Sequence, residues 1–527
     1  MAAIRASELG ARVVVADKSN TVRSGSGGMG NDHFTCYIPE VHGTDIKPII
    51  EGGLHSPMSG GWFRERSYIA TQLERSFEIV KLWDSWGIPM KHNGQYEFAG
   101  HGVPGKPITS LKYSGLEQKP ILTKQAVKRG AKIFNRVMVF ELLYHDGIIG
   151  ALGFDTRKER IIKFQTKSIF LGTGQCVRLY PSSTPGWMFN QANSPNATGD
   201  GRAMAYRAGA EMVLMEIPMP WAGPKYLNRC GKGTWIGMFR DAAGRALSPY
   251  LTKPEREYGD SVADHYPTIF DDYDNSGKGP LYMDCRGISN DDLEYMTWGL
   301  SNEGNQALLN NLKEENIDLR KNAVEFTTYG KAPRGGILSN LKGETSLKGL
   351  YAAGDENGVG IGNAAIYGWI AGENAAGYVK QVDSGDTETC KETIDKNLRL
   401  INDIRNREEG IGWHEANLAM QQVMHDYAGS VRSASLLEAG LSHLQRLRQK
   451  TDAMLMASNQ HEMMRCFEVL NMFDVGEVIF IAALARKETR GTHRRTDFPF
   501  ANPLMEQLLI IKKVNGKPVI EWREIKK

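Results

Sequence analysis

The sequence predicts an α/β fold carrying an inserted α+β domain and a helical C-terminal region, and three observations lead there. Residues 350–376, LYAAGDENGVGIGNAAIYGWIAGENAA, pass from an apolar strand through Gly-Asp and a glycine-rich loop into an Ala-rich helix. Residues 1–19, MAAIRASELGARVVVADKS, read as a helix, a Gly10 cap and a strand ending on Asp17. Both follow the strand–turn–helix grammar of a Rossmann-like parallel sheet. Between about 217 and 334 that rhythm breaks, and Pro, Gly, Asp and aromatic residues accumulate instead.

Taken in order, the first block runs over 1–216. Its opening helix, 1–9, and strand, 12–16, resemble the back half of a βαβ unit, where the acid ending the second strand holds adenosine ribose hydroxyls. A first strand and a Gly-x-Gly-x-x-Gly turn are expected upstream, so the chain reads as N-terminally truncated. Apolar residues at helical spacing (Ile69, Leu73, Phe77, Val80, Trp83) predict a helix over 63–86. A second helix is expected over 121–130, then strand–turn–strand segments with a hairpin turn at Asp146-Gly147. Residues 217–334 read as a capping domain with helices over 289–303 and 305–315. Residues 335–385 return to the first domain, and 386–527 form a C-terminal helical domain with helices over 398–407, 413–425, 435–457 and 461–486.

Composition narrows the function. The 527 residues are 41% hydrophobic and 24% charged, with a net charge of +3, an ordinary globular balance. That near-neutral charge gives no support for nucleic-acid binding. No run approaches the roughly 18 apolar residues of a membrane span. The six cysteines, Cys36, Cys176, Cys230, Cys285, Cys390 and Cys466, contain no Cys-x-x-Cys pair. They support neither a zinc nor an iron–sulfur site within the chain and read as buried thiols of a reducing cytoplasm.

Six segments then carry a family resemblance: ADKSNTVRSGSGGMGND, FLGTGQCVRLY, ATGDGRAMAYRAGA, PLYMDCRG, PRGGILSN and ALARKETRGTHRRTDFP. In this order and spacing the chain resembles the FAD-binding flavoprotein subunits of the fumarate reductase/succinate dehydrogenase superfamily. Relatives of that kind include L-aspartate oxidase and the alpha chain of adenylylsulfate reductase. The resemblance covers nearly the whole chain and implies an FAD-dependent oxidoreductase.

It also implies site residues. Asp17, with Lys18 beside it, would meet the adenosine ribose, and Ser24, Gly27, Gly28 and Met29 would lie along the pyrophosphate and the ring edge. Backbone near Val139 would pass the adenine. Thr173 and Gly174 end a strand beside the cofactor, Asp200 follows a Thr-Gly turn near the dinucleotide, and Asp355 would hold the ribityl chain. Gly360, Ile361 and Gly362 open a helix whose N–H groups would face negative charge on the reduced flavin. Where the family's covalent attachment places His in Arg-Ser-His-Thr, this chain has Arg23-Ser24-Gly25, so noncovalent FAD is expected.

The substrate positions depart from the pattern. The family's His-Pro-Thr is replaced by Ile217-Pro218-Met219-Pro220-Trp221, and its Ala-His-Tyr-Thr-Met-Gly-Gly by a segment ending Arg334-Gly335-Gly336. These losses argue against succinate or fumarate and leave an anionic small molecule as the expected substrate, with Arg334, Arg240 and Tyr329 as catalytic candidates. Trp221, Trp235, His265 and Lys331 are further residues of that region. Electrons would be exchanged with a ferredoxin-like iron–sulfur partner, through which the protein would reach a membrane if it reaches one. The alternatives are an oxygen-using oxidase and a non-catalytic flavoprotein-like subunit.

Overall fold

The computed structural model describes residues 1–54, 65–100, 102, 105–182, 188–225, 235–247, 251–259, 266–357 and 360–526. The opening helix, Ala2–Glu8, buries Ala2, Ile4 and Ala6 on one face. That face meets the helix Ile361–Tyr378, where Gly372 permits close approach: a Cβ there would lie 2.4 Å from the Ala2 carbonyl oxygen. Past the cap, Gly10 at φ 86° turns the chain toward the strand Val14–Asp17. This strand pairs in parallel with Lys132–Asn135, and Ile169–Leu171 pairs in parallel with Leu350–Ala352. Ile4, Phe34, Trp83, Ile366 and Trp369 belong to the core packed around these elements.

The 146–147 turn closes as its Asp-Gly pair predicts, with Asp146 at φ 55°. It joins Val137–Tyr144 to Ile148–Asp155, and Ile161–Gln165 completes a three-stranded antiparallel meander.

In the inserted region the strands Pro218–Pro224, Val324–Pro333, Leu281–Asp284 and Met238–Arg240 form one antiparallel sheet in that spatial order. The helix Asn290–Asn302 is capped by the Ser289 hydroxyl, which accepts from the Asp292 N–H at 3.0 Å. It packs with Gln306–Glu314 over a core that includes Phe239, Met283, Leu300 and Phe326.

Four helices follow as expected: Lys391–Asn406, Trp413–Tyr427, Ala434–Met454 and the largely buried Gln460–Ala485. The expectation of a helical region continuing to the end is corrected. Gln507–Val514 and Lys517–Glu524 form a β-hairpin around Asn515 and Gly516, both at positive φ. An Asn-Gly pair between apolar runs favours this turn because both central residues tolerate the left-handed region. The hairpin extends a sheet with Met212–Val213 and Gly336–Ile337, through the pairs Ile510↔Val213 and Ile511↔Met212. Among the described residues, no helix is long and apolar enough to cross a membrane.

Candidate active site and cofactor groove

Asp17 ends its strand with both carboxylate oxygens engaged. Oδ1 accepts from the Ser19 N–H at 2.7 Å and Oδ2 from the Ser24 hydroxyl at 2.5 Å. The acid thereby folds back the loop leading to the short turn Ser26–Gly28. A Cβ on Gly28 would lie 2.3 Å from the Arg23 carbonyl oxygen, so this tight return requires glycine. The Gly27 carbonyl accepts from Gln118 Nε2 at 2.8 Å, and a Cβ on Gly27 would meet Ile361 Cδ1 at 3.9 Å. Two segments more than 300 residues apart thus converge beside Asp17. Met29 leaves the turn toward the inserted domain, where a Cβ on Gly304 would lie 2.1 Å from its carbonyl oxygen.

A second cluster is built on Arg202, in the first turn of the helix Asp200–Arg207. Its guanidinium is fully buried. Nε donates to the Gly335 carbonyl at 2.9 Å, Nη1 to Gly174 at 2.5 Å, and Nη2 to Asp355. One side chain therefore ties together the end of the strand Ile169–Leu171, the Gly335-Gly336 turn and the Gly354–Glu356 turn. Glu356, also buried, accepts from the Thr173 backbone N–H at 2.9 Å and from its hydroxyl. Burial pushes the Glu356 carboxyl upward, with Arg202 and Thr173 opposing. Burial likewise raises Asp355, against Arg202 and an N–H bond from Gly360. Neither Arg202 nor Glu356 is among the residues the sequence points to. Arg202 stands inside the quoted ATGDGRAMAYRAGA, where an apolar-faced helix start hid a cation.

The helix Ile361–Tyr378 begins at Gly360, at φ 96°, and no side chain caps it. Its first N–H groups have no partner within the helix, and its dipole places partial positive charge at that end. Asn363 fixes this end: its Oδ1 accepts from the Gly354 N–H at 3.2 Å and its Nδ2 donates to the Tyr68 hydroxyl at 3.0 Å. Tyr68 stacks on Tyr367 with ring centroids 4.1 Å apart. Among the described residues, chain neighbours apart, nothing lies within 4 Å of a Cβ built on Gly25 or on Gly360, so both face open space. Hydroxyl-binding acid, glycine-only clearances and an uncapped helix start form a donor set that fits a dinucleotide.

Lys18 and Asp200 are placed otherwise. Lys18 Nζ donates to Asp200 Oδ2 at 2.6 Å and pairs with Glu468 Oε1 at 2.8 Å, while Asn471 Nδ2 donates to Asp200 Oδ1 at 2.9 Å. Arg178 and Arg465 both reach Glu468 Oε2, at 2.7 and 2.9 Å. These side chains join the first domain to the helix Gln460–Ala485. Burial pushes Glu468 upward, yet Lys18, Arg178 and Arg465 outweigh it and hold the carboxyl far below the ordinary range. Val139 pairs with Gly153, next to a bulge, and its side chain packs on the large C-terminal core.

Of the catalytic candidates, Arg334 is 3% exposed and its N–H donates to the Ile217 carbonyl at 2.9 Å. It sits between the capping strand that ends at Pro333 and the Gly335 carbonyl held by Arg202. Arg240 is not brought to it. Arg240 lies on the edge strand of the capping sheet, two strands away, where its Nε donates to Asp284 Oδ2 at 2.6 Å. Tyr329 lies on the strand Val324–Pro333, but its side chain, like His265, Cys230, Gly358 and Val359, falls outside the described residues. Lys331 Nζ donates to Ser430 Oγ and lies 3.6 Å from Asp271. His493 Nδ1 accepts from Arg432 at 3.2 Å and its Nε2 donates to the Arg486 carbonyl at 3.1 Å. Burial and the Arg432 cation hold its pKa well below the usual histidine range, so it is a neutral structural residue.

Comparison with known proteins agrees with this groove. A family model described as an FAD binding domain matches residues 57–366, and one described as the fumarate reductase flavoprotein C-terminus matches 417–527. Over 548 aligned positions the chain is 23% identical to a subunit of the fumarate reductase (CoM/CoB) of Methanothermobacter marburgensis, covering 97% of this chain and 94% of that protein. It is 26% identical over 377 residues to L-aspartate oxidase of Yersinia pestis, covering 67% and 64%. Its fold is shared with adenylylsulfate reductase from Archaeoglobus fulgidus, at TM-score 0.85, 20% identity and coverage of 100% and 94%. E. coli quinol fumarate reductase shares it too, at TM-score 0.82, 17% identity and coverage of 100% and 95%. With an FAD-domain model spanning more than half its length, the chain belongs to the FAD-binding flavoprotein family of fumarate reductase, and is an FAD-dependent oxidoreductase of that family.

Proposed function

We propose that the protein oxidises or reduces an anionic small molecule other than succinate or fumarate, exchanging electrons with a separate carrier protein. The observation that carries this reading is the position of Arg334. A cation buried to 3% exposure stands where the capping strand turns into Gly335-Gly336, the segment held against the groove by Arg202. Burial in a low-dielectric site strengthens its pull on an anion, and a guanidinium offers the paired donors a carboxylate or oxyanion accepts.

FAD, when bound, supplies the electron and hydride chemistry. The chain's residues orient and tune. Asp17 and Asp355 would accept hydroxyl hydrogen bonds, with Ser24, Gly27, Gly28 and Met29 along the dinucleotide. The N–H groups of Gly360, Ile361 and Gly362 would oppose negative charge on the reduced ring, and Arg334 would hold the substrate anion and donate a proton to it. Gly25 offers no side chain for covalent attachment, which supports noncovalent binding.

The replacement of His-Pro-Thr by Ile217-Pro218-Met219 supports exclusion of a C4 dicarboxylate, because the imidazole and hydroxyl that would pair with one carboxylate are gone. Described cysteines are buried and scattered, which supports a reducing cytoplasm and a carrier whose iron–sulfur cluster lies on another chain. The test is reoxidation of the chemically reduced, FAD-loaded protein by a panel of anionic acceptors. The reading expects fumarate to be inert and at least one other anion to reoxidise the flavin in an Arg334-dependent way. Rapid reoxidation by fumarate would overturn it.

A further inference from the structure

We infer that Lys119 is a ligand for the diphosphate of the bound dinucleotide, an assignment resting on the FAD reading above. Lys119 lies in the first turn of the helix Gln118–Lys128. That turn is stitched to the loop after Asp17: Gln118 Nε2 donates to the Gly27 carbonyl at 2.8 Å and to Asn31 Oδ1 at 2.7 Å, and Arg23 Nη1 donates to the Leu116 carbonyl at 3.0 Å. Lys119 Cδ is 3.9 Å from the point a Cβ would occupy on Gly27, the same point from which Ile361 Cδ1 is 3.9 Å. The lysine stem and the Ile361 side chain, the first of the helix Ile361–Tyr378, therefore both pack against the glycine turn.

The charge on that stem is half-buried and, among the described residues, forms no ion pair. Burial lowers its pKa from the ordinary lysine range, and the Asp17 carboxylate, which also accepts from Ser19 and Ser24, opposes this only in part. An ammonium whose desolvation is only partly offset by Asp17 is costly, and a diphosphate supplies a stronger partner.

The test measures FAD affinity of deflavinated protein by quenching of flavin fluorescence, for wild type, Lys119→Met, Lys119→Arg and Lys119→Glu, at two salt concentrations, with the unfolding temperature of each apoprotein alongside. One charge-assisted hydrogen bond corresponds to about 10–100-fold in affinity. Lys119→Met should lose that much and show a weaker salt dependence. Lys119→Arg should retain most of the binding, Lys119→Glu should lose more than Lys119→Met, and apoprotein unfolding should hold for all three. Affinity of Lys119→Met within about 2-fold of wild type would overturn the assignment, as would losses that track a fall in apoprotein stability. A wild-type protein that takes up no FAD would instead remove the cofactor reading itself.

Discussion

The guanidinium of Arg202 donates its Nε–H to the carbonyl oxygen of Gly335 at 2.9 Å. Its other nitrogens serve Gly174 and Asp355, so three loops from separate parts of the sequence share one rigid fork of donors. A Cβ on Gly336 would lie 2.0 Å from the Glu356 carbonyl oxygen and 2.9 Å from Arg202 Nε, which shows how closely the turn is drawn in.

Replacing Arg202 with Met should destabilise the protein by about 3–5 kcal/mol, the scale for removing one partner of a buried ionic cluster. Arg202→Lys should not restore it, because one ammonium cannot reproduce the three-carbonyl fork. Adding Glu356→Gln to Arg202→Met should recover part of the loss by removing the orphaned carboxyl. Chemical denaturation of the four proteins checks this. Wild-type stability in Arg202→Lys would contradict the fork.

The Glu468 cluster gives a pH dependence with a definite sign. Its carboxyl is ionised in the folded protein far below its unfolded value of 4.5, so its contribution is fully present above pH 4.5 and is lost as pH falls through the folded value. Glu468→Gln should lower stability at neutral pH by several kcal/mol and flatten the acid limb below pH 4.5. Melting temperature measured against pH reports both. An acid limb as steep in Glu468→Gln as in wild type would rule the cluster out as its source.

Much of this was legible in the sequence. Periodicity placed the helices Arg66–Ser85 and Gln460–Ala485, because that signal is local. Pairings set by tertiary packing were not. Lys18 and Asp200 look like groove residues from their neighbours in sequence, yet they face each other through a contact 182 residues apart. Arg240 is a catalytic candidate by sequence, yet Asp284, on the next strand, holds it in an ion pair. Asn515-Gly516 was a readable hairpin signal lost in a region expected to be helical.

Arg334 and Arg240, the two arginine candidates for catalysis, should separate in kinetics. Arg334→Ala should lower turnover of the true substrate at least ~100-fold, the scale of a positioned charge or proton donor. Arg240→Ala should leave turnover near wild type and cost only about 1 kcal/mol of stability, since its pair is partly exposed. Steady-state kinetics of both variants decides between them. Equal losses would place Arg240 in the site after all.

Whether FAD is held without a covalent bond is decided by acid precipitation of the purified, FAD-loaded protein. A yellow protein should yield a colourless pellet and intact FAD in the supernatant, in stoichiometric amount. Flavin retained in the pellet, or a protein that stays colourless after incubation with FAD, would contradict it.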